Sequence, residues 1–217
     1  MGTGSKIRLV PSAVSWNPQL AHDRSATVFP ELSMVLPRPD PRLLHIWADL
    51  REFSRVANDA TNSGATISAV VFSRLSTSVP NRLVNLTFDP TSLPELLRLC
   101  MLSYAKSLLI RLPGLGKKMT FLSERLEMAL RAQLSMAKPE QSMLLLWALF
   151  ITTLSIFEGL DAGWLRTGLA QTLSSLSLRT WAEIRGVVKG FLWMDRLHDH
   201  PAEQLVAQLH KRSIEVA

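Results

Sequence analysis

Apolar residues recur at three- and four-residue steps along most of the chain beyond residue 40, which is the spacing of a helix with one buried face. The clearest example follows Asp40 and Pro41, a pair typical of a helix N-cap and first turn. Its apolar face reaches to about Asp59 and consists of Leu43, Leu44, Trp47, Leu50, Phe53, Val56 and Ala57. The pattern therefore predicts an amphipathic helix at the start of the folded region.

Two more helices are expected before residue 113, a doubtful one over residues 65–75 and a clearer one that starts at Ser92. Residues 65–75 are ambiguous, because their Val and Ile residues favour strands, but the helical neighbours favour a helix. Pro80 and Pro90 separate this segment from Ser92-Leu93-Pro94-Glu95, which has the form of a capping box. We expect a helix of about 20 residues after that box, ended by Pro113.

Five further helices are predicted downstream. They are an amphipathic helix around residues 122–134 that Pro139 closes, an apolar helix over 140–159, a helix capped by Asp161, a helix that opens with the capping box at Thr180 and continues to Asp195, and a weaker helix after Pro201. The predicted helices cover roughly two thirds of the chain, about double the usual share in globular proteins. The sequence thus predicts an all-α fold, an irregular bundle of about eight helices.

The first 39 residues differ from the rest. They contain five prolines and no sustained periodicity, which is typical of an extended or poorly ordered arm. We therefore divide the chain into an arm over residues 1–39 and one helical domain over residues 40–217.

Composition and charge exclude several protein classes. The chain has 217 residues, 47% of them hydrophobic, and a single cysteine, Cys100, so it has no disulfide framework and no structural zinc module.

The net charge is +6, and the segment from Arg98 to Arg131 carries most of it, with seven basic residues and two acids. Such a stripe can attract phosphate or an acidic partner, but we interpret it as a solvated helical face. The sequence RLPGLGKK at 111–118 is similar to a phosphate-binding loop but lacks the spacing of the Walker A motif, so we interpret it as a loop between two helices.

One segment could anchor the chain in a membrane. Residues 141–157 contain no charge, but a spanning helix needs about 20 apolar residues. This stretch has 17 residues and includes several hydroxyl side chains. We expect a buried core helix here and no membrane contact, with a membrane-associated helical protein as the alternative. The N-terminus has no apolar run of the kind found in secretory signals.

Catalytic and cofactor-binding motifs are absent from the sequence, so we predict neither an enzyme nor a cofactor. Asp195, His198, Asp199 and His200 have a helical spacing at which their side chains could bind a metal, but a polar helix end explains the pattern as well, and we predict no metal site.

The tryptophans at helical positions, including Trp181 and Trp193, are predicted to be buried core residues. A cavity among them would suit a small apolar effector.

Several segments, taken in order, resemble the C-terminal regulatory region of fungal zinc binuclear cluster transcription factors. The resemblance extends over about residues 40–205 and includes the opening helix LLHIWADLREFSRVAND, the segment VPNRLVNL with Arg82, and the helix ELLRLCMLSYAKSLL with Arg98. Further along come WALF with Trp147 and AGWLR with Trp164. The last segment is a helix that carries Trp181, Arg185, Lys189, Leu192, Trp193 and Asp195.

This resemblance implies a nuclear, non-catalytic domain in transcription regulation that acts through a coregulator protein or an effector. Members of that family carry six zinc-binding cysteines near the N-terminus, whereas this chain has Cys100 alone. The resemblance therefore implies contact with DNA only indirectly or through a missing zinc cluster. It leaves the oligomeric state open.

Overall fold

The computed structural model describes residues 15–20, 29–36, 38–109, 120–157, 159–160 and 162–215. Three quarters of the described residues are helical, and none of them lies in a strand. Of the nine α-helices in these ranges, eight have at least seven residues. The predicted all-α class, with about eight helices, is confirmed.

The helices follow one another with short connections. Their bounds are Pro30–Ser33 (α1), Pro41–Ser63 (α2), Ala69–Val84 (α3), Leu93–Leu109 (α4), Thr120–Ser135 (α5), Ser142–Thr152 (α6), Gly163–Ser175 (α7), Trp181–Val188 (α8) and Asp195–Glu215 (α9). A 3₁₀ turn over Pro139–Gln141 leads into α6, and a π-helical turn over Thr153–Phe157 continues it.

Two helices form the centre of the molecule. Helix α4 packs against α3, α5 and α6, while α6 packs against α4, α5, α7 and α8. Every residue of α6 from Leu144 to Thr152 is buried, as expected for a helix that is apolar on all sides. The helical stretch Pro139–Phe157 is long and apolar enough to cross a membrane, but 67% of its most apolar window is buried inside the fold.

Three of the predicted helix starts can be compared with their capping contacts. Asp40 caps α2 through its Oδ1, which accepts from the Arg42 N–H at 2.8 Å. Thr180 and Glu183 form both halves of the capping box of α8. Ser92 accepts the N–H of Glu95 at 3.3 Å, but the Glu95 carboxylate binds Arg98 and Arg125 instead of reaching back. The expected box at α4 is therefore half formed.

Several predicted boundaries were wrong. Helix α3 continues through Pro80 to Val84, because Leu75, Val79 and Leu83 form one buried stripe across the proline. Helix α8 ends at Val188 and does not reach Asp195. Helix α9 starts at Asp195 and contains Pro201 in its interior, so it does not begin after that proline. The predicted cap Asp161 and the predicted stop Pro113 lie outside the described residues.

Two segments of the predicted N-terminal arm, residues 15–20 and 29–36, contact the helices that follow. Residues 29–36 include the helical turn α1, and their side chains Phe29, Leu32, Val35 and Leu36 are buried in the core. In residues 15–20, the backbone N–H groups of Gln19 and Leu20 both donate to Asp49 Oδ1, at 2.7 and 2.8 Å. These parts of the predicted arm are therefore packed on the helical region, through four apolar side chains in the common core and two backbone donors on Asp49 of α2.

Candidate functional site

Five of the six residues that carry the last segment of the resemblance lie in or beside the link between α8 and α9, residues 189–194. They are Arg185, Lys189, Leu192, Trp193 and Asp195. The link starts with tight turns, in which the N–H groups of Gly190 and Phe191 donate to the carbonyls of Val187 and Val188. A Cβ on Gly190 would lie 3.1 Å from the Val187 carbonyl oxygen, so a larger residue would crowd this turn. The chain thereby leaves the helix and brings Leu192 and Trp193 into the core, where both are buried.

Charged side chains hold the link at its base. The guanidinium of Arg185 binds Asp195 Oδ2 at 3.0 Å and Asp199 Oδ2 at 2.8 Å, and Lys189 Nζ donates to Asp195 Oδ2 at 2.7 Å. The indole N–H of Trp193 donates to Asp199 Oδ1 at 2.8 Å. Hydrogen bonds from Arg185 to Asp199, together with the two nearby carboxylates, raise the pKa of the arginine.

Polar contacts from α2 and α6 fix the same link from the other side. The side chain of Asn58 donates to the Trp193 carbonyl and accepts from the Asp195 N–H, both at 3.0 Å. The indole N–H of Trp147 donates to the Leu192 carbonyl at 2.9 Å. Trp147 also stacks on Phe191, with ring centroids 5.7 Å apart. The link is therefore a rigid, non-helical connection whose backbone polar groups are bound from two helices.

This link, one side of α2 and Phe29 together line a cleft of about 640 Å³. The apolar lining of the cleft consists of Phe29, Phe191, Trp193 and the small Ala48. Asp195 Oδ1 is buried and has no hydrogen-bond partner among the described residues. The charged side chains that line the cleft are Arg51, Arg55, Lys189, Glu52, Asp59 and Asp195. The cleft thus combines an aromatic surface with charges of both signs.

His198 lies behind the link and is 2% exposed. The Met194 N–H donates to its Nδ1 at 3.0 Å, which leaves the proton of the neutral ring on Nε2, 3.0 Å from Ser107 Oγ. Burial lowers the pKa of His198 to about 4, against the opposing effect of Asp199. Both ring nitrogens are therefore used in structural hydrogen bonds.

The four residues considered as a metal cluster are not arranged to share an ion. Asp195 and Asp199 bind Arg185, His198 is held as described, and the exposed His200 contacts the side chain of Gln204 at 2.9 Å. Within the part of the chain that the structure describes, no group of three or more His, Cys, Asp or Glu residues could hold a metal.

Two other residues of the resemblance, Arg82 and Arg98, lie in buried ion pairs. Arg82 donates to Asp49 at 2.6 Å, and both side chains are essentially fully buried. Two nitrogens of Arg82, Nε and Nη1, have no hydrogen-bond partner in the described ranges. Arg98 binds the buried Glu95 through two hydrogen bonds of 2.7 Å. Burial opposes ionisation of Glu95, but the bonds to Arg98 and Arg125 outweigh it and lower the pKa of Glu95.

The tryptophans differ in burial. Trp47, Trp147 and Trp193 are buried as predicted, with exposures of 2% or less. Trp181, at the start of α8, packs against the core but is only partly buried, so it is less buried than the sequence predicts. Trp164 is also partly buried, with Phe157 edge-on at 5.6 Å and the Arg131 guanidinium 5.0 Å from its ring centroid.

The predicted basic stripe is largely engaged in internal contacts where the structure describes it. Arg98 and Arg125 share Glu95, Arg131 binds Glu127 at 2.9 Å, and Lys106 donates to the Ser155 carbonyl at 2.8 Å. Residues 110–119, with the remaining lysines of the stripe, lie outside the described residues. In the described helices, the charge excess therefore mostly serves packing between helices and is only partly a solvated face.

Comparison of the chain with protein-family models, curated proteins and solved structures finds no match.

Proposed function

We propose that this chain is a helical regulatory domain of the type found in fungal zinc binuclear cluster transcription factors, acting in the nucleus without a zinc cluster of its own. The observation that supports this proposal best is the placement of the residues that carry the resemblance. Lys189, Trp193 and Asp195 line the cleft, while Arg185 and Trp147 hold the link that contributes to its wall. A rigid cleft built by the segment that resembles the family is what an effector-binding regulator needs.

The chemistry of the cleft supports a binding function rather than catalysis. Its cations and carboxylates are largely paired with one another or with neighbours, as Arg55 is with Glu52 and Asp59. Among the described residues, the groups whose pKa values depart most from their usual range are Cys100, Tyr104 and His198, and all three are buried. None of them lines the cleft, so they are poorly placed to serve as nucleophile or base on a ligand bound there.

The charged residues that line the cleft favour a polar effector, whereas the tryptophans alone would suggest an apolar one. Three cations and three carboxylates line the cleft. An apolar molecule would desolvate these groups without replacing their hydrogen bonds, which is unfavourable. We therefore propose a charged or zwitterionic small molecule as the effector.

A tethering experiment tests the proposed function. The chain is fused to a heterologous DNA-binding domain in a fungal host, and transcription of a reporter with the matching sites is measured. We expect the fusion to change reporter output severalfold relative to the DNA-binding domain alone. Lys189→Ser should abolish this change, whereas Lys138→Ser, at an exposed site away from the cleft, should not. A fusion that leaves transcription unchanged contradicts the proposal.

Binding to DNA by the chain alone provides a second test. Purified protein should contain no stoichiometric zinc and should show no sequence-selective DNA binding in a mobility-shift assay, because the zinc-cluster cysteines are absent from the sequence. Tight binding to one operator would contradict the proposal.

A membrane-associated helical protein anchored through residues 141–157 is the second candidate, favoured by the length and hydropathy of Pro139–Phe157. Against it, α6 packs on four other helices, and exposing it to lipid would require α4, α5, α7 and α8 to separate from it. Cell fractionation distinguishes the two. Recovery of the protein in the supernatant without detergent contradicts membrane anchoring, and recovery only with detergent supports it.

A further inference from the structure

A second surface, distinct from the cleft, lies between the end of α3, α4 and the start of α5. It is a groove of about 510 Å³, and we call it the α4–α5 groove. Its walls are mostly apolar and include Leu86, Leu99, Leu102 and Leu122. Val84 and Phe121, at its rim, are 62% and 72% exposed. Large apolar side chains exposed around a concave apolar surface are typical of a binding site for another molecule.

The exposed apolar surface continues from the groove along α5. Phe121, Arg125, Met128 and Ala132 follow one another at helical spacing and so lie on the same side of the helix. Met128 is 53% exposed, and Ala132 is partly exposed. From Phe121 to Ala132 this stripe is about 16 Å long, at 1.5 Å per residue. That length corresponds to about three turns of a docked helix.

The charge of the groove is one-sided. Arg98 and Arg125 line it, and no Asp or Glu does. The one carboxylate that both arginines bind, Glu95, is fully buried beneath them. Two guanidinium groups against one carboxylate leave one net positive charge. The guanidinium of Arg125 lies over the Phe121 ring, 5.6 Å from its centroid, and its side chain is 31% exposed. Its described hydrogen bonds use a single N–H, from Nη2 to Glu95, so other donors are not engaged by the described residues.

We propose that the α4–α5 groove binds an amphipathic helix of another protein, with apolar side chains in the groove and along α5 and a carboxylate on Arg125. A guanidinium beside an apolar groove suits a helix whose anchors lie at i, i+3, i+4 and i+7 and are flanked by acidic residues. A second copy of this chain fits less well, because a symmetric contact through α5 would bring two Arg125 side chains together. This proposal goes beyond the regulatory function and does not depend on it.

The binding test uses a fluorescein-labelled 16-residue peptide with leucines at helical i, i+3, i+4 and i+7 positions and glutamates beside them. We expect saturable binding by the full chain in fluorescence polarisation. A peptide of the same composition with scrambled spacing should bind at least about tenfold more weakly. Equal binding of both peptides contradicts the proposal.

Matched variants then locate the site. Phe121→Ser should weaken binding about tenfold or more, as loss of an aromatic anchor does. Arg125→Gln retains a hydrogen-bond donor for Glu95, and it should reduce both the affinity and its salt dependence. A peptide with glutamine for glutamate should bind wild type and Arg125→Gln equally. The controls Val70→Ser and Arg74→Gln, both exposed and outside the groove and the cleft, should bind like wild type. Unchanged affinity in the Phe121 and Arg125 variants overturns the proposal.

Three further measurements exclude other occupants. If the peptide binds only after residues 111–118 are replaced by a Gly-Ser linker, the groove is filled by the chain itself. If sedimentation shows a dimer that Phe121→Ser dissociates, the occupant is a second copy. If vesicles containing phosphatidylserine bind wild type but not Phe121→Ser, the surface recognises lipid. Each of these results overturns the proposal, whereas a monomer that binds the peptide and ignores the vesicles supports it.

Discussion

At the scale of single residues, the two tryptophans of the C-terminal segment have different energetic importance. Trp193 is 2% exposed, and its indole N–H binds Asp199, whereas Trp181 is partly exposed at the first turn of α8. We expect Trp193→Ala to lower the free energy of unfolding by about 3–5 kcal/mol and Trp181→Ala by about 1–2 kcal/mol. Urea denaturation followed by circular dichroism measures both. Equal losses for the two variants would contradict the burial described here.

His198 makes stability depend on pH in a defined direction. Its pKa is about 4 in the folded protein and about 6.5 when unfolded. Between these values the unfolded chain binds a proton that the folded chain excludes, so stability is complete above about pH 6.5 and falls as the pH drops toward 4. For this residue alone the loss between pH 7 and 4.5 is about 2 kcal/mol.

The variant His198→Gln isolates this effect, because glutamine does not titrate but keeps polar atoms near Ser107 and Met194. We expect its unfolding free energy to change less between pH 7 and 4.5 than that of wild type, by about 2 kcal/mol. Carboxylates such as Glu95 contribute equally to both proteins and cancel in the comparison. Parallel pH profiles of the two proteins would show that His198 is not the group responsible.

The spacing of apolar residues could predict which side chains are buried. It could not predict which polar side chains form hydrogen bonds between distant parts of the chain. Trp147 and Trp193 were predicted from helical spacing alone. The partners Asn58 and Asp49 were missed, because each contacts residues more than 25 positions away in the sequence. The one local signal was Asp49, a carboxylate between the apolar residues Trp47 and Leu50. A charged group at such a position indicates a buried ion pair without naming its partner.

At the scale of helices, the starts were predictable where a side chain caps them, and the ends were less so. The caps at Asp40 and Thr180 are local in sequence, and both are formed. The end of α8 at Val188 depends on Asn58, Trp147 and Asp195 binding the link that follows, and these contacts are not visible in periodicity. Helix propensity is weak enough that such tertiary contacts override it.

Helix α3 tolerates Pro80 in its interior at a measurable cost. Proline cannot donate to the Ser76 carbonyl, and its ring crowds that turn. We expect Pro80→Ala to raise the free energy of unfolding by about 1–2 kcal/mol, since the restored hydrogen bond exceeds the added entropy of the unfolded chain. The control is Pro90→Ala, in an exposed turn, which should instead lower stability by about 0.5 kcal/mol. A loss of stability in Pro80→Ala would mean that the proline is required by its packing.

At the scale of the whole molecule, one carboxylate joins three regions that are distant in sequence. Asp49 of α2 accepts the N–H groups of Gln19 and Leu20 through Oδ1 and binds Arg82 of α3 through Oδ2. Sequence reasoning separated residues 1–39 from the helical domain because their prolines break periodicity. It could not show that this region supplies two of the hydrogen bonds that make a fully buried carboxylate tolerable.

The Asp49–Arg82 pair therefore provides a test of how the regions are coupled. Asp49→Ala leaves Arg82 charged and buried, so we expect a loss of about 3–5 kcal/mol and faster amide hydrogen exchange in residues 15–20. Arg82→Leu should also destabilise the fold, but it retains the acceptor for Gln19 and Leu20 and should preserve more of that protection. The double variant should cost less than the sum of the two single losses, because neither charge is then left unpaired. Strict additivity in this double-mutant cycle, or unchanged exchange in residues 15–20 of Asp49→Ala, would mean that the three regions are not coupled through Asp49.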